Sequence, residues 1–205
     1  MENQKLEILV VEDTPIHQEA ARELLKEYNV TIVGTFDDAV DSLHQKKYNI
    51  VLTDMFIPQG RGEMQRDKES ASTPQDLGTY IAMYSAQLGV PYVAICSDSD
   101  HHDNAQTYAT NDLILRQKYK PLTGSVSKPM KMGENTLLFN IFGMAYKTPD
   151  GRIGTEKEIG DLPEGSEPVK NWSFVLDEIK KYDNLKGLEQ KEKKVGVGGN
   201  ITLGA

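Results

Sequence analysis

Short apolar runs and amphipathic segments alternate through the first 130 residues of the chain. Four runs predict β-strands: KLEILVVED, NVTIVGT, YNIVLTD and VPYVAICSD. They are apolar at successive positions, which is typical of strands covered on both faces. The sequence therefore predicts a sheet that is buried between two layers.

The segments between these runs carry apolar residues at helical spacing. Four helices are predicted, in TPIHQEAARELLKEY, FDDAVDSLHQKK, DLGTYIAMYSAQLG and DNAQTYATNDLILRQKY. Pro15 suits the first position of a helix, and the acids after Thr35 suit a helix N-terminus. Strands that alternate with helices predict a parallel α/β sheet with right-handed crossovers.

The remaining segments are less regular. Residues 59–74 are polar and rich in Gly, Ser and Pro, which predicts a loop insertion. GSVSKP predicts a short fifth strand, and NTLLFNIFGMAYK predicts a β-hairpin or an irregular extension. Apolar spacing in NWSFVLDEIKKY predicts a last helix, and the Lys- and Gly-rich end of the chain predicts a mobile tail.

Composition narrows the class of protein. The net charge is −8 and the part after residue 130 has no basic excess, so we expect no direct contact with nucleic acid. We expect no membrane span or signal peptide, because the apolar runs are short and the N-terminus lacks a basic leader. The single cysteine, Cys96, predicts a buried, inert thiol and fits a cytoplasmic location.

Polar side chains follow the predicted strands. Glu12 and Asp13, Asp54, Ser97 and Lys128 each come at the end of a predicted strand. Singly, each has an ordinary explanation as a helix cap or a solvated charge. Because ligands bind at the carboxyl ends of strands in an open parallel sheet, their joint placement predicts a shared site.

The residue types suggest the chemistry of that site. Clustered carboxylates repel one another and favour a cation, and oxygen ligands suit a hard ion such as Mg²⁺. A carboxylate can attack phosphorus to form an aspartyl phosphate. A lysine ammonium and a hydroxyl can stabilise charge on the phosphoryl oxygens.

Four motifs in order, ILVVEDTP, VLTDMFIP, VAICSD and VSKP, resemble those of response-regulator receiver domains. The resemblance implies a flavodoxin-like, doubly wound α/β fold with a five-stranded parallel sheet in the order 2-1-3-4-5 and helices on both faces. It predicts one receiver domain over residues 1–183, with insertions at about 59–74 and 131–170 and a last helix at about 171–183. An inserted or appended segment would then follow strand five, and residues 184–205 would form a flexible tail.

The resemblance also assigns site residues. It implies that Asp54 is the phosphoacceptor, that Glu12, Asp13, Asp54 and the Met55 backbone carbonyl bind Mg²⁺, and that Ser97 and Lys128 contact the phosphoryl group. The implied function is phosphorelay signalling, with a histidine kinase or a histidine phosphotransfer protein as donor and an unknown output protein as reader. The domain would catalyse only its own phosphorylation and dephosphorylation, and the resemblance leaves a homodimer open.

Two positions depart from the family pattern. Ser125 stands three residues before Lys128, where many receivers have an aromatic residue that takes part in switching. Phe56 stands two residues after Asp54, beside the expected path of the attacking water, and its bulk would slow hydrolysis of the phosphoryl group.

Two other classes compete with a phosphoacceptor. A pseudo-receiver would be an interaction module that no longer needs phosphate; the missing aromatic and the insertions favour it, whereas the intact acid, hydroxyl and lysine set opposes it. A phosphohydrolase of the haloacid dehalogenase type needs a second Asp two residues after the nucleophile. Asp54 is followed by Met55 and Phe56, so the chain lacks the general acid that this class requires.

Overall fold

The computed structural model describes residues 5–61, 72–96, 129–132, 136–141 and 143–182. The strands are β1 Glu7–Val11, β2 Asn29–Val33, β3 Ile50–Thr53, β4 Phe56–Ile57, β5 Gln75–Asp76, β6 Tyr92–Ile95, β7 Met130–Met132, β8 Thr136–Asn140, β9 Met144–Lys147, β10 Ile153–Gly154 and β11 Glu167–Lys170. The helices are α1 Pro15–Leu24, α2 Phe36–Gln45, α3 Gly78–Gln87, α4 Glu156–Ile159 and α5 Trp172–Tyr182. No helix in these ranges has the length and apolar character that a membrane crossing requires.

The central sheet is mostly parallel and has six strands in the order β2-β1-β3-β6-β8-β7. The five strands from β2 to β8 pair in parallel, and β7 pairs antiparallel with β8 at the edge. The protein is therefore a mixed α/β structure, and its central sheet has one strand more than the five that were predicted. The sixth strand arises because β7 and β8 form an antiparallel pair within the segment that was predicted as an insertion.

Strand β8 corrects the interpretation of the chain after residue 130. It was predicted as part of a hairpin or irregular extension, yet it lies beside β6 in the central sheet. Leu138 and Phe139 are buried, because β8 is covered on both faces like the other parallel strands. Of the predicted fifth strand GSVSKP, residues 124–128 lie outside the described residues, as does the predicted fourth helix.

Alternating residues of the sheet pack into two apolar layers. Ile8 and Val10 of β1 point toward the layer that contains α1 and α5, while Leu9 and Val11 point toward the layer that contains α2 and α3. This alternation is the ordinary period of two in a β-strand. The sheet is thus covered on both sides, as the unbroken apolar runs predict.

A second, smaller sheet joins β10, β9 and β11 in antiparallel pairs. It lies against α1, where Lys147 Nζ of β9 is 2.5 Å from Glu19 Oε2. Helix α5 follows β11 after one residue, and its range confirms the helix predicted at about 171–183. The small sheet therefore places the start of α5 beside the start of α1.

The predicted loop at 59–74 has a structured base. Strands β4 and β5 pair antiparallel, so the chain that leaves after Phe56 returns beside it at Asp76. On the outgoing side, the Phe36 N–H donates to the Pro58 carbonyl over 3.0 Å. Residues 62–71 lie outside the described residues.

Candidate functional site

Three carboxylates meet at the carboxyl edge of the central sheet. Glu12 and Asp13 follow β1, and Asp54 follows β3, which is the parallel neighbour of β1. One carboxylate oxygen from each residue lies within 4.8 Å of the other two. Glu12 is fully buried, Asp54 is 6% exposed and Asp13 is half-buried. The structure therefore brings together the three acids that the sequence predicted.

The cation of the site is Lys170, which sequence reasoning missed. Its ammonium lies 2.7 Å from Glu12 Oε2 and 2.9 Å from Asp54 Oδ2, and its side chain is 4% exposed. Lys170 ends β11, so it reaches the site from the small sheet. One signal pointed to it: the resemblance expects the last helix to follow the lysine almost at once, and Lys170 stands two residues before Trp172 and α5.

Of the other side chains that the sequence predicted at or beside the site, the structure describes only Phe56. Ser97, Ser125 and Lys128 lie outside the described residues. Strand β7, which begins two residues after Lys128, is three strands away from β3 in the central sheet. Phe56 lies on β4, half-buried, opposite Asp76 of β5.

The backbone around Asp54 is held by several hydrogen bonds. Asp54 Oδ1 accepts from the Met55 N–H over 2.6 Å, and the Asp54 carbonyl accepts from Thr53 Oγ1 over 2.8 Å. The Met55 carbonyl, which was predicted to bind metal, accepts from the Gly78 N–H over 3.0 Å. The first residue of α3 thus contacts the backbone next to Asp54.

Gly78 has no room for a side chain at this contact. A Cβ on Gly78 would lie 1.9 Å from the Asp54 carbonyl oxygen and 2.9 Å from the Met55 Cα. Since α3 begins at this glycine, the close approach fixes the start of the helix against the backbone of Asp54 and Met55. A larger residue would force the two backbones apart.

Burial and mutual repulsion shape the ionisation of the acids. The pKa of Asp54 is raised to about 6, chiefly by burial and also by the Glu12 carboxylate, while Lys170 acts in the opposite direction. Burial and then the Glu12 charge also raise the pKa of Asp13. Burial disfavours the charged form of Lys170, but Asp54 and Glu12 more than offset it and raise the pKa of the ammonium.

The charge balance of the cluster favours a further cation. Among the described residues, three carboxylates face the one ammonium of Lys170 when every group is ionised, so negative charge remains uncompensated. The donor atoms are carboxylate oxygens, which suit a hard divalent ion. The raised pKa values of Asp13 and Asp54 are consistent with this excess of negative charge. The acidic cluster is compatible with divalent metal binding.

Lys170 is held in place by α1 as well as by the small sheet. The Lys170 N–H donates to His17 Nδ1 over 3.4 Å, and Trp172 Nε1 donates to the His17 carbonyl over 3.0 Å. Between them, the Asn171 N–H donates to the Gly143 carbonyl over 2.8 Å. The Lys170 ammonium lies 5.9 Å from the centre of the Trp172 ring.

Cys96 follows β6, next to the site. It is buried, and burial raises the pKa of its thiol well above the usual range. The prediction of a buried thiol is confirmed, and a thiol held in this protonated form is a poor nucleophile.

No family model matches the chain, and no curated protein matches its sequence. Among solved structures the chain is similar to a fusion carrying amino acids 181–211 of the yeast Spc42 trimeric coiled coil, at 18% identity and a TM-score of 0.38 over 51% of this chain and 59% of that one. It is similar to the Mn²⁺-bound form of response regulator Rcp1 at 19% identity, with a TM-score of 0.37 over 51% of this chain and 74% of the other. It is also similar to the BeF₃-activated DrrB receiver domain at 15% identity, with a TM-score of 0.36 over 52% of this chain and 79% of the other.

Each likeness covers about half of this chain, and the chain spans less than two thirds of the Spc42 fusion. By their descriptions, two of the three structures are a response regulator and a receiver domain. The function is therefore inferred below from the side chains of the site.

Proposed function

We propose that this protein is a phosphoacceptor receiver module in which Asp54 takes a phosphoryl group from a phosphohistidine donor. The observation that carries the proposal is the Lys170 ammonium between two buried carboxylates, 2.9 Å from Asp54 and 2.7 Å from Glu12. A buried cation beside a buried, nearly enclosed carboxylate is a costly arrangement that is commonly retained where charge develops during a reaction.

Each side chain has a role in the proposed transfer. A carboxylate oxygen of Asp54 forms a bond to phosphorus while the bond between phosphorus and the donor imidazole nitrogen breaks, and that imidazole leaves with the electron pair. Lys170 offsets negative charge on the phosphoryl oxygens. Asp13 and Asp54, with Glu12 beside them, would hold Mg²⁺, which supplies further neutralisation of phosphoryl charge when bound. Ser97 is proposed as the hydroxyl partner of the phosphoryl group.

The first experiment is phosphotransfer read by intact-protein mass. The wild type is incubated with Mg²⁺ and either a phosphohistidine protein or a small acyl phosphate, beside Asp54→Ala. We expect the wild type to gain the mass of one phosphoryl group and Asp54→Ala to gain none. Asp41→Asn is the control, because Asp41 lies on α2 in an ion pair with Arg61, and it should accept the group like the wild type.

The location of the group is tested by peptide mapping of the modified protein. A phosphoryl group on another residue, or equal modification of wild type and Asp54→Ala, would reject Asp54 as the acceptor. No modification with either donor would reject the phosphoacceptor role.

A second candidate is a pseudo-receiver that binds partners without phosphate. It is favoured by the hydrogen bond between the Gly78 N–H and the Met55 carbonyl, which already engages an oxygen assigned to the metal. Titration with beryllofluoride, a phosphoryl mimic, in the presence of Mg²⁺ separates the two functions. Binding that is lost in Asp54→Ala supports the phosphoacceptor, and absence of binding to the wild type supports the pseudo-receiver.

The partners follow from the proposed chemistry. The donor would be a histidine kinase or a histidine phosphotransfer protein, and a separate output protein would read the changed surface. The module would act in the cytoplasm, with no catalysis beyond its own phosphorylation and dephosphorylation. A homodimer remains compatible with this function.

A further inference from the structure

The backbone of Lys170 is not held by a strand on each side, as it would be in the interior of the central sheet. Its strand, β11, belongs to the small sheet, where its partner among the described strands is β9. The position of the ammonium relative to Glu12 and Asp54 therefore depends on how residues 170–172 dock on the rest of the protein. Lysine has a long, flexible side chain, so its backbone must be fixed before its charge can be placed.

One residue of α1, His17, accepts hydrogen bonds from both ends of this segment. His17 Nδ1 accepts from the Lys170 N–H over 3.4 Å, and the His17 carbonyl accepts from Trp172 Nε1 over 3.0 Å. Trp172 is fully buried and His17 is 9% exposed, so both bonds lie away from solvent. Buried hydrogen bonds of this kind are costly to break, because the separated groups lose their partners.

The same turn of α1 also holds the acid that faces Lys170. Gln18 Nε2 donates to the Glu12 carbonyl over 2.7 Å. Two consecutive residues, His17 and Gln18, thus contact the cationic and the anionic sides of the ion pair. The start of α1 is a common support for both partners.

We propose that His17 and Trp172 are positioning residues that set the Lys170 ammonium against Asp54. The effect of this positioning on phosphoryl binding rests on the function proposed above, whereas the placement of the ammonium does not. His17 fixes the backbone of Lys170, and Trp172 anchors the next turn while its ring lies 5.9 Å from the ammonium. A small displacement is enough to lose both contacts of 2.7 and 2.9 Å, and misplacement on this scale strongly reduces the efficiency of a site.

The placement is tested by competitive labelling of amines, quantified for each lysine by mass spectrometry. Lys170 is buried and paired, so it should react slowly, with Lys147 and Lys180 of the same molecule as internal references. His17→Leu removes the acceptor, and Trp172→Phe removes the donor while keeping a ring. We expect each to raise the labelling of Lys170 about three- to tenfold, as loss of one hydrogen bond predicts, with little change at the references.

Two matched variants separate positioning from general loosening. His17→Asn keeps an acceptor atom near the place of Nδ1, and it should retain labelling close to that of the wild type. Val175→Ala opens the same apolar cluster one turn into α5, and it should lower stability without raising the labelling of Lys170. The proposal is overturned if Lys170 stays protected in both His17→Leu and Trp172→Phe, or if Val175→Ala exposes it equally.

Calorimetry with beryllofluoride and Mg²⁺ then measures the consequence at Asp54. If the wild type binds, we expect His17→Leu and Trp172→Phe to weaken binding about tenfold and His17→Asn to bind like the wild type. If labelling of Lys170 rises as expected but the wild type does not bind beryllofluoride, the positioning role stands and the phosphoacceptor function fails. If the wild type binds and neither variant changes labelling, the function stands and the positioning role fails.

Discussion

The two regions that build the site differ in how they place their charges. Residues 5–57 deliver the carboxylates from the ends of β1 and β3, two adjacent parallel strands. Residues 143–182 deliver Lys170 from an antiparallel sheet, 158 positions along the chain from Glu12. The anionic half follows from local strand pattern, whereas the cationic half depends on tertiary docking.

This difference makes the two regions dependent on each other. Glu12 and Asp54 are buried carboxylates, which are costly to bury without a partner. Lys170 is the ammonium that contacts both, and it is itself buried. Docking of the small sheet on α1 is therefore coupled to the ionisation of Asp54, and substitutions in either region should reveal the coupling.

The largest expected effect comes from Lys170→Met, which keeps the length of the side chain and removes its charge. Two buried carboxylates then lose their cation, and we expect the free energy of unfolding at neutral pH to fall by about 3–5 kcal/mol. Urea denaturation measures the loss. Mg²⁺ should restore part of it, because a bound divalent ion replaces the missing positive charge.

Lys147→Met is the matched control for this prediction. Lys147 lies in the same small sheet and pairs with Glu19 of α1, but both side chains are partly exposed. We expect a change of less than about 1 kcal/mol, as for other surface ion pairs. If the two substitutions are equally costly, the buried cluster is not what links the regions.

The same contrast explains what could be predicted from the sequence. Glu12, Asp13 and Asp54 end apolar runs, and strands next to each other in the sheet bring such ends together, so pattern alone identified them. The place of β8 in the central sheet was missed although TLLFN contains an apolar run, because GSVSKP before it was predicted to be the fifth strand. Lys170 was missed because its contacts depend on β9, β11 and α1 packing together, which strand and helix periodicity does not encode.

The second prediction concerns the dependence of stability on pH. The pKa of Asp54 is raised from 3.8 to about 6, so the folded protein binds more protons than the unfolded chain between these values. Titration of Asp54 should therefore lower the stability of the wild type by about 3 kcal/mol as the pH rises from about 4 to about 6. Asp54→Asn lacks this titration, so its stability relative to the wild type should rise across the same window.

Urea denaturation across this pH range, in the presence of a chelator, measures both proteins. Added Mg²⁺ should stabilise the wild type more than Asp54→Asn at neutral pH, since the ion relieves the repulsion between the carboxylates. A constant difference between the two proteins from pH 4 to pH 7 would contradict the raised pKa of Asp54.

A smaller effect is expected where α3 meets the backbone of Asp54 and Met55. In Gly78→Ala the added Cβ would lie 1.9 Å from the Asp54 carbonyl oxygen, so the helix or the loop must shift. We expect a loss of about 1–3 kcal/mol, together with weaker Mg²⁺ binding detected by the fluorescence of the single tryptophan, Trp172.

Gly34→Ala serves as the comparison for Gly78→Ala. Its Cβ would lie 3.7 Å from the Glu12 carbonyl oxygen, which is ordinary contact, and 3.4 Å from Gln18 Nε2. It should leave Mg²⁺ binding close to that of the wild type. Equal losses of binding in the two variants would mean that any added methyl group near the site disturbs it, and that the start of α3 has no special role.

The smallest effect compares the N-termini of the two helices that flank the ion pair. The Asn171 side chain accepts from the Phe174 N–H over 3.0 Å and so caps α5, whereas Thr14 precedes α1 without a side-chain bond to a helical N–H. We expect Asn171→Ala to lower the free energy of unfolding by about 1 kcal/mol and Thr14→Ala to change it less. Asn171→Ala should also raise the amine labelling of Lys170, because it loosens the turn that follows this residue. If only stability changes, the cap supports α5 alone, and the docking of α5 on α1 places the ammonium through His17 and Trp172.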